Sequence, residues 1–129
     1  HRLLERAEVV LHDALVDPGV LAIAADARLV AVGKRAELPS TAQRFINKML
    51  IDHARSGRRV VRLKGGDPAV FGRLDEETAA LREAGIAFQI VPGITAASAA
   101  AAEAGVSLTL RGVARSVTFL TPCTCDEGD

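Results

Sequence analysis

Apolar and polar positions along the chain switch repeatedly between two periods. Short apolar runs stand at residues 9–11, 29–32, 60–63, 88–91 and 116–120. Runs this short, rich in Val, Ile and Leu, are the pattern of strands covered on both faces. Helical spacing fills the intervals. Leu3, Leu4 and Ala7 share one side of a helix over 2–8, and residues 18–25 predict a second, short one. Phe45, Ile46, Met49, Leu50 and His53 then recur at helical spacing, preceded by Ser40 and Gln43 in capping-box register and followed by Gly57 as a stop. A helix over 75–84 takes Asp75 as its N-cap and Gly85 as its stop, and an Ala-rich helix over 94–104 ends at Gly105. Strand–helix alternation with short connections predicts an α/β fold: a mostly parallel sheet of about five strands with flanking helices. The pattern leaves the strand order open.

Composition sharpens this picture. Of 129 residues, 49% are hydrophobic but only 3% aromatic, so the core is built from Ala, Val, Leu and Ile. Small residues let helices sit close on a sheet. The length fits one domain. Sixteen basic residues balance sixteen acidic ones, and three of the acids (Asp126, Glu127, Asp129) lie in the last four positions. This is not the strongly basic balance of a nucleic-acid binder, and it suits an anionic small substrate met by local cations. Cys123 and Cys125 stand without further ligand partners in sequence, which predicts no metal site. No apolar run approaches the ~20 residues of a membrane span, and no secretory signal opens the chain. A soluble, cytoplasmic protein with no membrane partner is the expectation. Residues 122–129 lack hydrophobic periodicity and are expected to form a tail without regular structure.

Candidate chemistry gathers where strands end. Lys64, Gly65, Gly66, Asp67 and Pro68 follow the third run and precede a helix. In open α/β sheets, ligands bind beyond the carboxyl ends of strands. Two glycines let the backbone approach a ligand, and Asp67 offers a hydrogen-bond acceptor. The pattern alone fits a tight strand–helix turn equally well. It matches neither the P-loop nor the dinucleotide fingerprint. A second loop, 91–96, brings Gly93, the Thr95 hydroxyl and free N–H groups at a helix start; the alternative there is an ordinary turn with a capped helix. Asp13 ends the first run and Lys34 the second. Singly they read as a cap and a surface charge. Together they put an acid and a base on the rim where parallel strands end.

Residues 60–73, from Val60 through the Gly65–Gly66 pair to Arg73, closely resemble the signature of uroporphyrinogen-III C-methyltransferases, in the tetrapyrrole methylase family. Segments 7–16, 32–36, 85–98, 104–109 and 114–121 match in the same order. Ring methylases of later cobalamin steps typically carry His-Thr-Gly-Asp-Pro where Lys64–Pro68 stand. The resemblance implies the family's N-terminal α/β domain over residues 1–121, with 122–129 atypical. It implies methyl transfer from S-adenosylmethionine to uroporphyrinogen III, giving precorrin-2 for siroheme or cobalamin. Gly65, Gly66, Asp67, Val70, Thr95 and Ala96 would contact the cofactor. Asp13 would accept a proton and Lys34 donate one. Arg35, Arg73 and Arg111 would bind substrate carboxylates, which Arg meets in bidentate fashion. Family members are usually homodimers. The alternatives are a related precorrin C-methyltransferase and a degenerate, non-catalytic interaction fragment.

Four departures from the family pattern bear on these expectations. The family opens with a strand and a Gly-rich loop, whereas His1 falls inside the helix that follows them. A C-terminal α/β domain completes the family's cofactor site, and this chain stops near that junction. Thr121, Pro122 and Cys123 replace a Thr-Gly-His. Leu74 and Asp75 replace two glycines after Arg73, and Pro39 stands where His is usual. The expectation is therefore an incomplete pocket, inactive on its own.

Overall fold

The structure, a computed structural model, describes residues 1–33 and 43–121. Three strands, β1 (Val9–His12), β2 (Arg28–Ala31) and β3 (Val60–Leu63), form a parallel sheet in the order β2-β1-β3. The register is even: Leu11 stands opposite Val30 on one side and Arg62 on the other. The central strand is the most apolar, and Val9, Val10 and Leu11 are fully buried.

Alternation along β1 assigns these side chains to two faces. Val9 and Leu11 pack with Val32, Ile46 and Leu50 under α3 (Gln43–Arg55), and Leu81 of α4 (Leu74–Glu83) joins them. Val10 faces the other way, against Leu4 of α1 (Arg2–Glu5), Ala7 and Ala24. The connection between β1 and β2 runs through α2 (Pro18–Leu21) and a 3₁₀ turn (Ala22–Ala24) on that second face. Asp17 caps α2 by accepting a hydrogen bond from Gly19 N at 2.7 Å. The last helix is α5 (Ala96–Glu103).

Glycines end three helices as the sequence predicts. Gly57, Gly85 and Gly105 have φ of +78°, +70° and +67°, the left-handed conformation that lets the chain turn back on the last carbonyls. Asp75 is not an N-cap. Arg73 occupies that position with φ +50°, and Asp75 lies in the first turn, where its charge faces the helix N-terminus. Ser40, half of the predicted capping box, lies outside the described residues.

The expected five strands are three among the described residues. Residues 88–91 and 116–120 make no backbone ladder. A strand needs a partner edge as well as a pattern, and these segments find none. Their apolar side chains remain open to solvent, with Val91 54% and Leu120 85% exposed.

Candidate functional site

The strand order puts a topological switch point between β1 and β3 before any residue is considered. The chain leaves β1 toward α2 on one face of the sheet and leaves β3 toward α4 on the other. Neighbouring strands whose connections diverge in this way open a gap at their carboxyl ends. Asp13 stands at the end of β1, and Lys64, Gly65 and Gly66 at the end of β3. Asp13 N donates to Leu63 O at 3.2 Å, which pins the two ends side by side. At the end of β2, a Cβ on Gly33 would lie 2.2 Å from Ala14 N. Only glycine lets that strand end approach the residue after Asp13. Lys34 and Arg35, which follow Gly33, lie outside the described residues.

The 91–95 loop joins the same rim through Asp67. Its Oδ2 accepts from Gly93 N at 2.9 Å, and its Oδ1 accepts from Ala69 N at 2.8 Å. A Cβ on Gly93 would stand 2.3 Å from Gly66 O, so the two loops touch backbone to backbone. Gly66 takes φ +95°. Gly65 differs, because a Cβ there meets nothing within 4 Å. Its backbone borders open space, as a ligand-facing position requires. Thr95 holds the N-cap position of α5, yet its side chain makes no capping bond. The hydroxyl is therefore left for another partner, and Ala96 begins the helix beside it. Val70 is half-buried, its N–H donating to Asp67 O at 3.2 Å.

Beneath this rim lies a cluster of charges that sequence reasoning left without a role. Alternation along β3 points Arg62 and Lys64 to the α3–α4 face, the face that Val60 shares. Two cations in a covered strand require anions. Arg62, 12% exposed in its side chain, donates from Nη2 to Asp13 Oδ1 at 2.5 Å and from Nε to Glu77 Oε1 at 3.1 Å. Its Nη1 donates to Leu63 O at 2.9 Å. Lys64 Nζ pairs with Glu77 Oε2 at 3.0 Å and also donates to Gly72 O. Gln43 Nε2 adds a bond to Glu77 Oε1 at 3.2 Å. Two cations and two carboxylates thus neutralise one another, and no buried side-chain polar atom among the described residues lacks a partner. The signal was present in the sequence as Arg62 and Lys64 at alternate positions of an otherwise apolar run.

Arg73 and Arg111, two of the three expected substrate residues, are not brought to this cluster. Arg73 is exposed and forms a bidentate pair with Glu76, at 2.6 and 3.0 Å. It borders an open cleft of about 890 Å³ with Phe71, Arg82 and Ile90, a cleft that includes neither Asp13 nor Gly65. Arg111 lies in the exposed turn closed by Leu110 and Ala114, with no hydrogen bond or ion pair to the rim among the described residues. Among the described residues no group of three or more His, Cys, Asp or Glu side chains could hold a metal, and no helix is long and apolar enough to cross a membrane. Cys123 and Cys125 lie outside the described residues.

The family description Tetrapyrrole (Corrin/Porphyrin) Methylases matches residues 1–129. The chain belongs to the tetrapyrrole methylase family. Among relatives of this tetrapyrrole methylase, a siroheme synthase of Psychrobacter sp. is 55% identical over 121 residues, which is 93% of this chain and 25% of the relative. Siroheme synthase 1 of Yersinia enterocolitica is 51% identical over 129 residues, 99% of this chain and 27% of the relative. A solved uroporphyrin-III C-methyltransferase of Thermus thermophilus, complexed with S-adenosylhomocysteine, superposes with a TM-score of 0.71 at 44% identity. That match covers 89% of this chain and 47% of the solved one. This tetrapyrrole methylase chain therefore spans about a quarter of the siroheme synthases and under half of the solved methyltransferase.

Proposed function

We propose that this chain is the cofactor-cradling half of an S-adenosylmethionine-dependent uroporphyrinogen-III C-methyltransferase, producing precorrin-2 within a longer parent protein. The observation that carries this reading is the convergence on one rim of Asp13, the open backbone at Gly65 and the loop that Asp67 clasps at Gly93. The solved relative with bound S-adenosylhomocysteine, at 44% identity, supports the choice of ligand. The rim suits such a ligand's acceptors: free N–H groups at the start of α5 can donate to them, the Thr95 hydroxyl makes no hydrogen bond among the described residues, and glycines admit close approach.

S-adenosylmethionine supplies a sulfonium methyl group, which an electron-rich pyrrole carbon takes as the carbon–carbon bond forms and the sulfur–carbon bond breaks. The chain's task is to position the reactants and manage one proton. Gly65, Gly66, Asp67, Val70, Thr95 and Ala96 hold the cofactor side, and positioning supplies much of the rate. Asp13 takes the proton that the methylated ring sheds. Its Oδ1 is held by Arg62, while Oδ2 has no hydrogen bond among the described residues and is open to that proton. Lys34 is the donor in this scheme, with Arg35, Arg73 and Arg111 as carboxylate partners. A cytoplasmic setting and a homodimeric parent rest on family resemblance, and light scattering on the parent checks the second. A precorrin methylase, the other enzyme reading, is less favoured. A cobalt precorrin-4 methyltransferase is 33% identical, against 55% for a uroporphyrin-III C-methyltransferase of Thermus thermophilus.

Calorimetric titration with S-adenosylhomocysteine checks the division of labour. The parent protein binds it and converts uroporphyrinogen III to precorrin-2. The 129-residue chain alone binds it weakly or not at all, and micromolar affinity of that chain would overturn this point.

A further inference from the structure

We infer that Arg62 is a positioning residue for Asp13, and that buried Glu77 holds Arg62 in place. This deepens the function proposed above and rests on its reading of Asp13 as the proton acceptor. Arg62 is the sole residue bonded to the Asp13 side chain among the described residues, at 2.5 Å on Oδ1. Asp13 itself is about one-third exposed (34%), so without that bond its carboxylate is free to rotate toward solvent. Arg62 has no such freedom. Leu63 O and Glu77 fix its remaining nitrogens, and Glu77 is 4% exposed and also bonded to Lys64 and Gln43. The planar guanidinium bridges two carboxylates in one fixed geometry, which a flexible ammonium does not reproduce.

The same group ties the proton acceptor to the loop beyond β3. From Asp13 the contacts run through Arg62 and Glu77 to Lys64, and Lys64 holds Gly72 O. Gly72 is itself packed tightly, since a Cβ there would lie 2.4 Å from Pro68 O. Asp13 and the segment from Gly65 to Gly72 are thus set relative to one another by a single buried cluster. That is the spacing that matters when a base must meet a ring poised against a bound methyl donor.

A double-mutant cycle in the parent protein tests this, with kcat, KM and the S-adenosylhomocysteine Kd measured for each variant. Asp13→Asn is expected to lower kcat about 10²-fold, at the low end for a lost general base. Arg62→Gln is expected to lower kcat at least about tenfold, while KM and the S-adenosylhomocysteine Kd move less than about threefold. In the Asp13→Asn background, Arg62→Gln is expected to add less than about twofold, because it acts through the carboxylate already removed. Arg62→Lys keeps the buried positive charge opposite Glu77 but cannot span both carboxylates, and it decides the matter if Arg62→Gln fails to fold. Its expected loss in kcat is also about tenfold. Undiminished kcat in the folded Arg62 variants, or a fully additive loss in the double variant, overturns the positioning role while Asp13→Asn still reports on the acceptor. Undiminished turnover in Asp13→Asn removes the acceptor and the positioning role together.

Discussion

Glycines at the rim do two different jobs, and substitution separates them. Gly93 is where it is because any side chain would strike Gly66 O at 2.3 Å and Asp67 Cα at 3.2 Å. Both obstacles are backbone, so the loops must part. Gly93→Ala should cost about 1–3 kcal/mol of stability, as overpacking does, and should break the Asp67–Gly93 hydrogen bond of 2.9 Å. Gly65→Ala meets nothing within 4 Å and needs no positive φ. It should leave the urea midpoint within the change expected of a surface site, under about 0.5 kcal/mol. If Gly65 faces the cofactor, the same substitution weakens S-adenosylhomocysteine binding by the parent about tenfold or more, since the backbone can no longer come close. Equal effects of the two substitutions on stability would show that Gly65 also serves the fold. Asp67 belongs with Gly93 in this respect: both of its oxygens are engaged in joining loops, so its part in any cofactor contact comes after its part in shaping the cradle.

At the scale of elements, α3 and β1 hold the structure together. Leu50 of α3 is 5% exposed against Val9, Leu11 and Ile46, so Leu50→Ala should lower stability by about 2–5 kcal/mol in urea unfolding. Leu15, 93% exposed after β1, should tolerate Ala within about 0.5 kcal/mol. Local pattern made these elements legible in the sequence. Three apolar runs became β1, β2 and β3, and helical spacing with terminal glycines located α3, α4 and α5 within a few residues. The runs at 88–91 and 116–120 failed as strands because pairing is a property of two segments, and apolar spacing describes only one. The site was legible in the same uneven way. Asp13, Gly65, Gly66 and Asp67 do follow the ends of β1 and β3, whereas Thr95 follows no strand and its loop reaches them through the Asp67–Gly93 hydrogen bond. Glu77 was missed because its spacing on α4 fits a solvated helix face. Its burial follows from Arg62 and Lys64 across the interface, which no local pattern shows.

For the whole molecule, the distribution of backbone bonds predicts two tiers of protection. Strand β1 is paired on both sides and fully covered, and β2 and β3 are each bonded to it. Between Ala87 and Ile94, by contrast, no backbone–backbone hydrogen bond is made among the described residues, and the main ties are Gly93 to Asp67 and the Phe88 ring under Arg82 at 5.4 Å. Phe88, Ile90, Val91 and Ile94 stand between 37% and 71% exposed. Amide exchange follows the free energy of opening, and an unbonded exposed amide has almost none to overcome. In the 129-residue chain, amides of residues 9–12 should therefore exchange orders of magnitude more slowly than those of 87–91, with the Gly93 N–H an isolated slow site beside Asp67. In the parent protein the proposed function demands a change: a cofactor cradle needs the 91–95 loop held firmly, so amides of 88–91 should gain protection there, and gain more with S-adenosylhomocysteine bound. Hydrogen-exchange mass spectrometry on chain and parent reads both comparisons. Equal, fast exchange of 88–91 in chain, parent and ligand complex would mean that this loop takes no part in holding the cofactor, leaving Gly65, Gly66, Asp67 and Val70 as its support from this half of the protein.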